Sequence, residues 1–220
     1  MPRGRAGLYR QSGLLHGHVL ERPLHLVAVM HSRAPFRHAS VLLAILTVPA
    51  AARAEGVSPI QLALVDPVQI FDSSTSIHGL RINLIYGYNR DIRGLDLGLV
   101  NRNSGSFGGV QLGVVGISHG SFTGWQANFV NYTEAKFVGL QLGAGNLAQG
   151  LLGIQWGAVS FVGMDAEGVQ IAVVNYANRM SGLQLGLVNI CVQLKGLQIG
   201  LINLARNGVL PIMPIVNWAF

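Results

Sequence analysis

A short unit recurs along most of this chain at a nearly constant spacing. GLDLGLVN begins at Gly94, GVQLGVVG at Gly109, GWQANFVN at Gly124 and GLQLGAGN at Gly139. GIQWGAVS at Gly153, GVQIAVVN at Gly168, GLQLGLVN at Gly182 and GLQIGLIN at Gly196 follow, with starts 15, 15, 15, 14, 15, 14 and 14 residues apart. Earlier copies start at Gly79 (GLRINLIY) and, degenerately, at Pro59 (PIQLALVD); Pro214-Ile-Val-Asn keeps the end of the unit at the C-terminus. A repeat this short cannot bury its apolar side chains alone, so the copies must share one continuous core.

With the Gly as position 0, positions 1, 3 and 5 are apolar in most copies and position 2 is Gln in seven successive copies, Gln111 to Gln198. Strict alternation over this length describes a strand with unlike faces. A helix needs a period of 3.6, and Gly at positions 0 and 4 weakens one. The alternation then breaks, because position 6 is apolar beside apolar position 5, and so is the residue two before the Gly (Phe107, Phe122, Phe137, Met180, Leu194). Bends at the Gly and near the Asn at position 7 account for this.

A chain that turns once per unit and stacks on itself is an all-β solenoid, with about ten coils at a strand spacing of ~4.8 Å. Recurring Gln and Asn then fall into in-register columns whose amides form ladders. This reading puts Leu140, Leu142, Leu183, Leu185, Leu197 and Ile199 in the core and the Gln column on the outer face. It also sets Arg81 and Asp96, the two departures from Gln, side by side; an exposed pair contributes only ~0–1 kcal/mol. The alternative is an antiparallel outer-membrane β-barrel with Leu toward lipid and Gln inside, which suits the alternating end Val216-Asn-Trp-Ala-Phe220. It gives no reason to hold Gln and Asn at one place in every strand.

Residues 30–54 have the layout of a secretory signal peptide: Arg33, Arg37 and His38, the apolar run VLLAILTV from Val41 to Val48, and Ala52-Arg53-Ala54 before Glu55. Cleavage is expected after Ala54. Residues 1–29 read as an upstream extension, and 55–220 as a single β repeat domain. The formal charge of +6 belongs to the leader. Residues 1–54 hold seven Arg and the lone acid Glu21, whereas 55–220 hold eight basic and eight acidic residues. With no basic stripe on the repeats, nucleic-acid binding is not expected.

Little in the repeats suggests catalysis. Cys191 aligns with Ala177 and Ala205 and reads as a small apolar filler, with only Lys195 as a nearby cation. His78 and His119 are far apart, so no metal cluster is expected. Ser118-His119 and the run Asp72 to Ser76 lack a third partner for a Ser-His-Asp site. Asp165 and Glu167 read as a solvated connection, and Asn131-Tyr-Thr133 matches a glycosylation sequon. No nucleotide loop is present, because the glycines mark repeat corners. Trp125 and Trp156 take Leu positions and read as core; an aromatic platform for carbohydrate requires them to face outward. No catalytic, cofactor or metal residues are assigned.

The units GLDLGLVN, GLQLGLVN and GLQIGLIN, with the opening GLRINLIYGYNRDIRGLDLGLVNRN and the ending LPIMPIVNWAF, resemble bacterial surface repeat-containing proteins of Gram-negative outer surfaces. The resemblance covers Val57 to Phe220. It implies export and a surface or outer-membrane location, and it carries over no catalytic residue. The copies GWQANFVN and GIQWGAVS depart from its consensus. The expected function is an exported structural or adhesive surface protein that is not an enzyme and uses no cofactor. An outer-membrane pore or anchor and a carbohydrate-binding solenoid remain as alternatives, and a surface protein or glycan as partner stays open.

Overall fold

The computed structural model describes residues 56–220; the readings made for the leader and the cleavage site lie outside the described residues. The described chain is all β: β1 (Val57–Val65), β2 (Val68–Gln69), β3 (Ser76–Asn89), β4 (Ile92–Asn103), β5 (Phe107–Ser118), β6 (Phe122–Ile171), β7 (Val174–Leu185), β8 (Val188–Ala205) and β9 (Ile212–Ala219). β6 runs through 50 residues and several turns of the repeat. Each unit lies parallel to the next and one repeat out of phase: Gly94 pairs with Gly109, Gln111 with Gln126 and Gly182 with Gly196. The result is a β-solenoid of about ten coils. Parallel neighbours exclude the antiparallel barrel. The two ends close differently, since β2 lies antiparallel on β1 and β9 antiparallel on β8. Pro214 to Asn217 is therefore a return strand and not a further coil.

The coils are inverted relative to the expected burial. Gln61, Gln111, Gln126, Gln141, Gln155, Gln170, Gln184 and Gln198 are fully buried, as are Arg81 and Asp96. Leu140, Leu142, Leu183, Leu185 and Leu197 are only half-buried, and Ile199 is exposed. Apolar side chains do fill half of the interior, from other positions. One column descends through Ile77, Ile92, Phe107, Phe122, Phe137, Leu151, Ala166, Met180 and Leu194, and another through Ala148, Val162, Ala177, Cys191 and Ala205. The phenyl rings stack coil on coil, Phe107 on Phe122 at 4.3 Å and Phe122 on Phe137 at 5.1 Å between centroids.

The reason lies in the hydrogen bonds. Each Gln Nε2 donates to the Oε1 of the Gln one coil toward the N-terminus: Gln126 to Gln111 at 2.9 Å, Gln141 to Gln126 at 2.8 Å, Gln155 to Gln141 at 2.8 Å, and onward to Gln198 on Gln184 at 2.8 Å. A primary amide carries a donor and an acceptor, so each amide within a stack of identical ones finds partners above and below, and only the last acceptor, Gln198 Oε1, is left without one. Buried amides so paired avoid the desolvation penalty of unmet polar groups.

A second column runs the other way. Asn131 Nδ2 donates to Asn146 Oδ1, Asn175 to Asn189 and Asn189 to Asn203, each at 2.8 Å. The same amides reach backbone carbonyls at the bend: Asn146 meets Gly143 O and Trp156 O, and Asn189 meets Ile199 O. The corner itself lies earlier than expected, with bends at Ala172-Val173 and Gly186-Leu187, near positions 4 and 5. Asn at position 7 supports that corner from inside; its own backbone does not adopt a positive φ.

Two copies exchange these roles. Where position 4 is Asn instead of Gly, a neighbouring Asn site is Gly. Asn83 fills the space at Gly87, and Asn128 of one coil fills the space at Gly116 of the coil before. Asn128 Nδ2 then reaches Asn131 Oδ1 at 2.8 Å and Gln111 Oε1 at 3.1 Å.

The inversion reverses the expected mutational order. Gln141→Leu strands the acceptor of Gln126 and the donor of Gln155 in a buried column. A loss of about 2–4 kcal/mol is expected, at roughly 1–3 kcal/mol for each unmet group less the gain from burying Leu. Leu187→Ala, at a side chain 51% exposed, should lose no more than about 1 kcal/mol. Chemical denaturation of the two variants, compared at equal slope, checks the order.

Candidate interaction surface

Turning Gln and Asn inward turns the flanking apolar columns outward. Positions 1 and 3 line one wall of the coil, position 5 stands at the corner and position 6 begins the next wall. From Ile60 to Ile202 these four positions hold only Ile, Leu, Val, Phe, Trp, Ala or Gly, except in the coil from Gly79, where one extra residue brings Tyr86 beside Val100 at position 6. The corner column is the most open, with Leu84 at 65%, Phe129 at 66% and Leu201 at 66% exposed, and with Leu99, Val173 and Leu187 about half exposed. These side chains form a convex apolar ridge along the stack, with an apolar wall falling away on each side.

Trp125 and Trp156 are both outward, 44% and 60% exposed, which corrects their reading as core. Trp218 of β9 lies opposite Leu197 and continues the same wall. All three tryptophans of the chain thus sit on this side. At position 8, beyond the second wall, stand Tyr88, Tyr132, Phe161 and Tyr176, the last two stacked at 4.7 Å.

The remaining side of the coil, from position 10 round to the residue before the Gly, carries most of the ionic groups. Arg90 and Asp91 pair at 3.2 Å, and Arg179 Nη2 donates to Asp165 Oδ2 at 2.6 Å. That bond holds the exposed Asp165 carboxyl below its ordinary pKa and Arg179 above its own. At the border, Arg102 Nε donates to His119 Nε2 at 3.0 Å, while His119 Nδ1 meets Glu134 Oε2 at 2.8 Å. Arg102 also lies 5.0 Å from the centre of the Tyr88 ring, within cation–π range. His119 is therefore part of a cross-coil network. Open grooves on this side are lined by Glu134, Lys136, Met164, Asp165 and Glu167, and next to them by Arg179, Gln193 and Lys195.

The other sequence candidates are dispersed. Ser118 is buried and bonded to Asn103 and Gly120, not to a histidine. Asp72 caps a turn through Ser74 N at 2.9 Å. Thr133 of the sequon is buried and its Asn131 belongs to the interior ladder. Cys191 sits in the small-residue column beside Ala177 as expected, and burial pushes its thiol up to about 12. Among the described residues no group of three or more His, Cys, Asp or Glu is placed to hold a metal ion.

Comparison with known proteins found no matching family model, curated protein or solved structure. The surface must therefore be read from its own chemistry.

Proposed function

We propose that this chain is an exported, non-catalytic structural repeat protein of the cell surface, acting by presenting one face many times over. The observation that carries this reading is the outward apolar side, repeated from the first coil to the last over an interior laddered by Gln and Asn amides. An enzyme gathers unlike groups at one place; here like groups recur at every level. The segment 30–54 and the resemblance of the repeats to Gram-negative surface proteins support export. Apolar patches beyond a few hundred Å² mark interaction sites on soluble proteins, so attachment is the natural task of this face.

A second reading draws on Trp125 and Trp156. Both face outward, as a carbohydrate platform requires. Their neighbours in the outward columns are aliphatic, without the hydroxyl and amide groups that fix a sugar's orientation. Attachment through the whole face is the stronger reading, and a glycan array tests the other.

Fractionation of expressing cells is the direct test. The protein is expected with the carbonate-washed outer membrane or the cell surface, with an N-terminus at Glu55. Recovery from the cytoplasm with residues 30–54 still attached would overturn the proposal.

A further inference from the structure

We infer that the apolar ridge and its two walls form a lipid-facing keel, by which the solenoid lies in one leaflet of a phospholipid bilayer without crossing it. This deepens the proposal of a surface-attached protein, on which it rests, by naming the partner as acyl chains.

Four observations point to lipid over a protein partner. The first is shape. The uncharged region does not occupy one flat wall; it continues round the corner at positions 4 and 5, and its most exposed side chains, Leu84, Phe129 and Leu201, stand at the apex. A second copy or a flat partner sheet packs on one wall and leaves the apex and the other wall wet. Fluid acyl chains cover a convex ridge from both sides.

The second is extent. Apart from Tyr86, the outward columns hold no polar or charged residue across about ten coils, whereas a protein interface is rimmed and interrupted by polar groups. The third is the border. Position 8 holds Tyr88, Tyr132, Phe161 and Tyr176, with Arg102 and the aliphatic Ile117, Leu147, Ile190 and Leu204 between and after them, and beyond this column come Glu134, Lys136, Asp165 and Arg179. A column partly of tyrosines between an apolar and a charged side follows the order of acyl, interfacial and aqueous zones.

The fourth is the backbone. Lipid accepts only chains whose N–H and C=O groups are satisfied internally. Coil-to-coil pairing does this along the walls, and the ladder pairs the Gln amides from Gln111 to Gln184, leaving buried oxygens of Asn83, Asn103, Asn128, Asn175 and Gln198 without a partner. Among the described residues no helix is long and apolar enough to cross a membrane, so attachment would be through this face.

The test uses the full chain and vesicles of phosphatidylethanolamine and phosphatidylglycerol. Co-flotation is expected, with little change when salt is raised, because the contacting face carries no charge. All three tryptophans lie on this side, so acyl chains brominated near the headgroup should quench most of the fluorescence. Phe129→Glu combined with Leu201→Glu, at outward side chains that leave the ladders intact, should lower the partition coefficient at least about tenfold, since binding scales with buried apolar area. Lys136→Gln, on the charged side, should change it less than about twofold.

Because the apolar run Val41 to Val48 could float the chain by itself, flotation untouched by the ridge substitutions overturns the inference. So does absence of flotation and quenching, or a soluble dimer that the same substitutions dissociate. A chain recovered from the cell surface that ignores vesicles sinks the keel alone; a chain recovered from the cytoplasm sinks the surface reading first. The quenching measurement needs no variant, so the inference stays testable if the ridge variants misfold.

Discussion

Gly168→Ala should remove at least about 4 kcal/mol and prevent the coils on either side of it from stacking. The backbone at Gly168 has φ 132, and its neighbours in the column, Gly153 and Gly182, have φ 140 and 135. This region costs an L-residue about 1–3 kcal/mol in strain. Space is a separate obstacle, because a Cβ built on Gly168 falls 2.0 Å from the carbonyl oxygen of Gly153. Both groups are backbone, so neither can rotate away, and relief would pull the two coils apart. Ala is the smallest test of the site, and it fails on both counts. Position 4 contrasts in conformation and not in space: Gly186 has no positive φ, although a Cβ built there also falls 2.1 Å from a backbone oxygen, that of Ala172. There the column tolerates Ala172 and accommodates Asn83 and Asn128 when a neighbouring Asn gives way to Gly. Gly186→Ala at position 4 should therefore cost less than Gly168→Ala. Thermal and denaturant unfolding of the two variants checks the ranking. Equal losses would show that the first corner is not conformationally special.

The period, the strand type and the parallel stacking were legible in the repeat, because spacing of 14–15 residues and identical amides at identical positions admit few other arrangements. Which parity faces inward was not. Alternation distinguishes two faces and is silent on which is the interior; the usual choice of apolar inside assumes that water lies outside. Here the choice fails at Leu185 and Gln184. A signal was present in the variability of the columns. Position 1 passes through Leu, Val, Trp and Ile, and position 3 through Leu, Ala, Trp and Ile, while position 2 keeps Gln from Gln111 to Gln198. A solvated Gln has no need to recur, whereas a ladder amide must match the one above and below. The paired exchanges at Asn83 with Gly87 and Asn128 with Gly116 carry the same message, since only packed positions compensate. The network of Arg102, His119 and Glu134 was less accessible. These residues are 15 to 32 positions apart in the chain and meet only once the coil register is known.

The apolar columns outside and the amides inside are one device seen from two directions. In water an apolar exterior is a liability, and an interior of polar side chains is costly unless every member is paired. A protein immersed on one side in lipid meets the opposite demands. Its exterior there must be apolar, and its polar backbone and side chains must be satisfied from within. The charged side of each coil supplies what the same body needs where it meets water.

Asp96→Ala should cost about 3–5 kcal/mol, far above the value of an exposed pair. Arg81 and Asp96 lie on adjacent parallel strands, as the repeat predicts, but both are fully buried. The carboxylate accepts from Arg81 Nε and Nη2, each at 2.7 Å, from Gln111 Nε2 at 2.9 Å and from Asn83 Nδ2 at 3.2 Å. Ladder polarity explains the choice of residue. Every Gln from Gln111 to Gln198 donates toward the N-terminus, so the coil before Gln111 must present an acceptor. Arg81, in turn, has donors only. A Gln at 96 would turn its amide group toward the guanidinium; a carboxylate accepts from both sides. Removing it leaves a buried cation unpaired, the case in which breaking a buried pair is strongly destabilising. Loss should begin locally, because repeat stacks couple mainly to nearest neighbours. Hydrogen exchange should show residues 57–103 losing protection before residues 168–205. The double variant Arg81→Gln with Asp96→Gln continues the amide ladder through both coils and should recover most of the lost stability, since buried ion pairs are often replaceable by a matched neutral set. If Asp96→Ala costs under ~1 kcal/mol, or if the double variant is no better than the single, the pair is not what terminates the ladder.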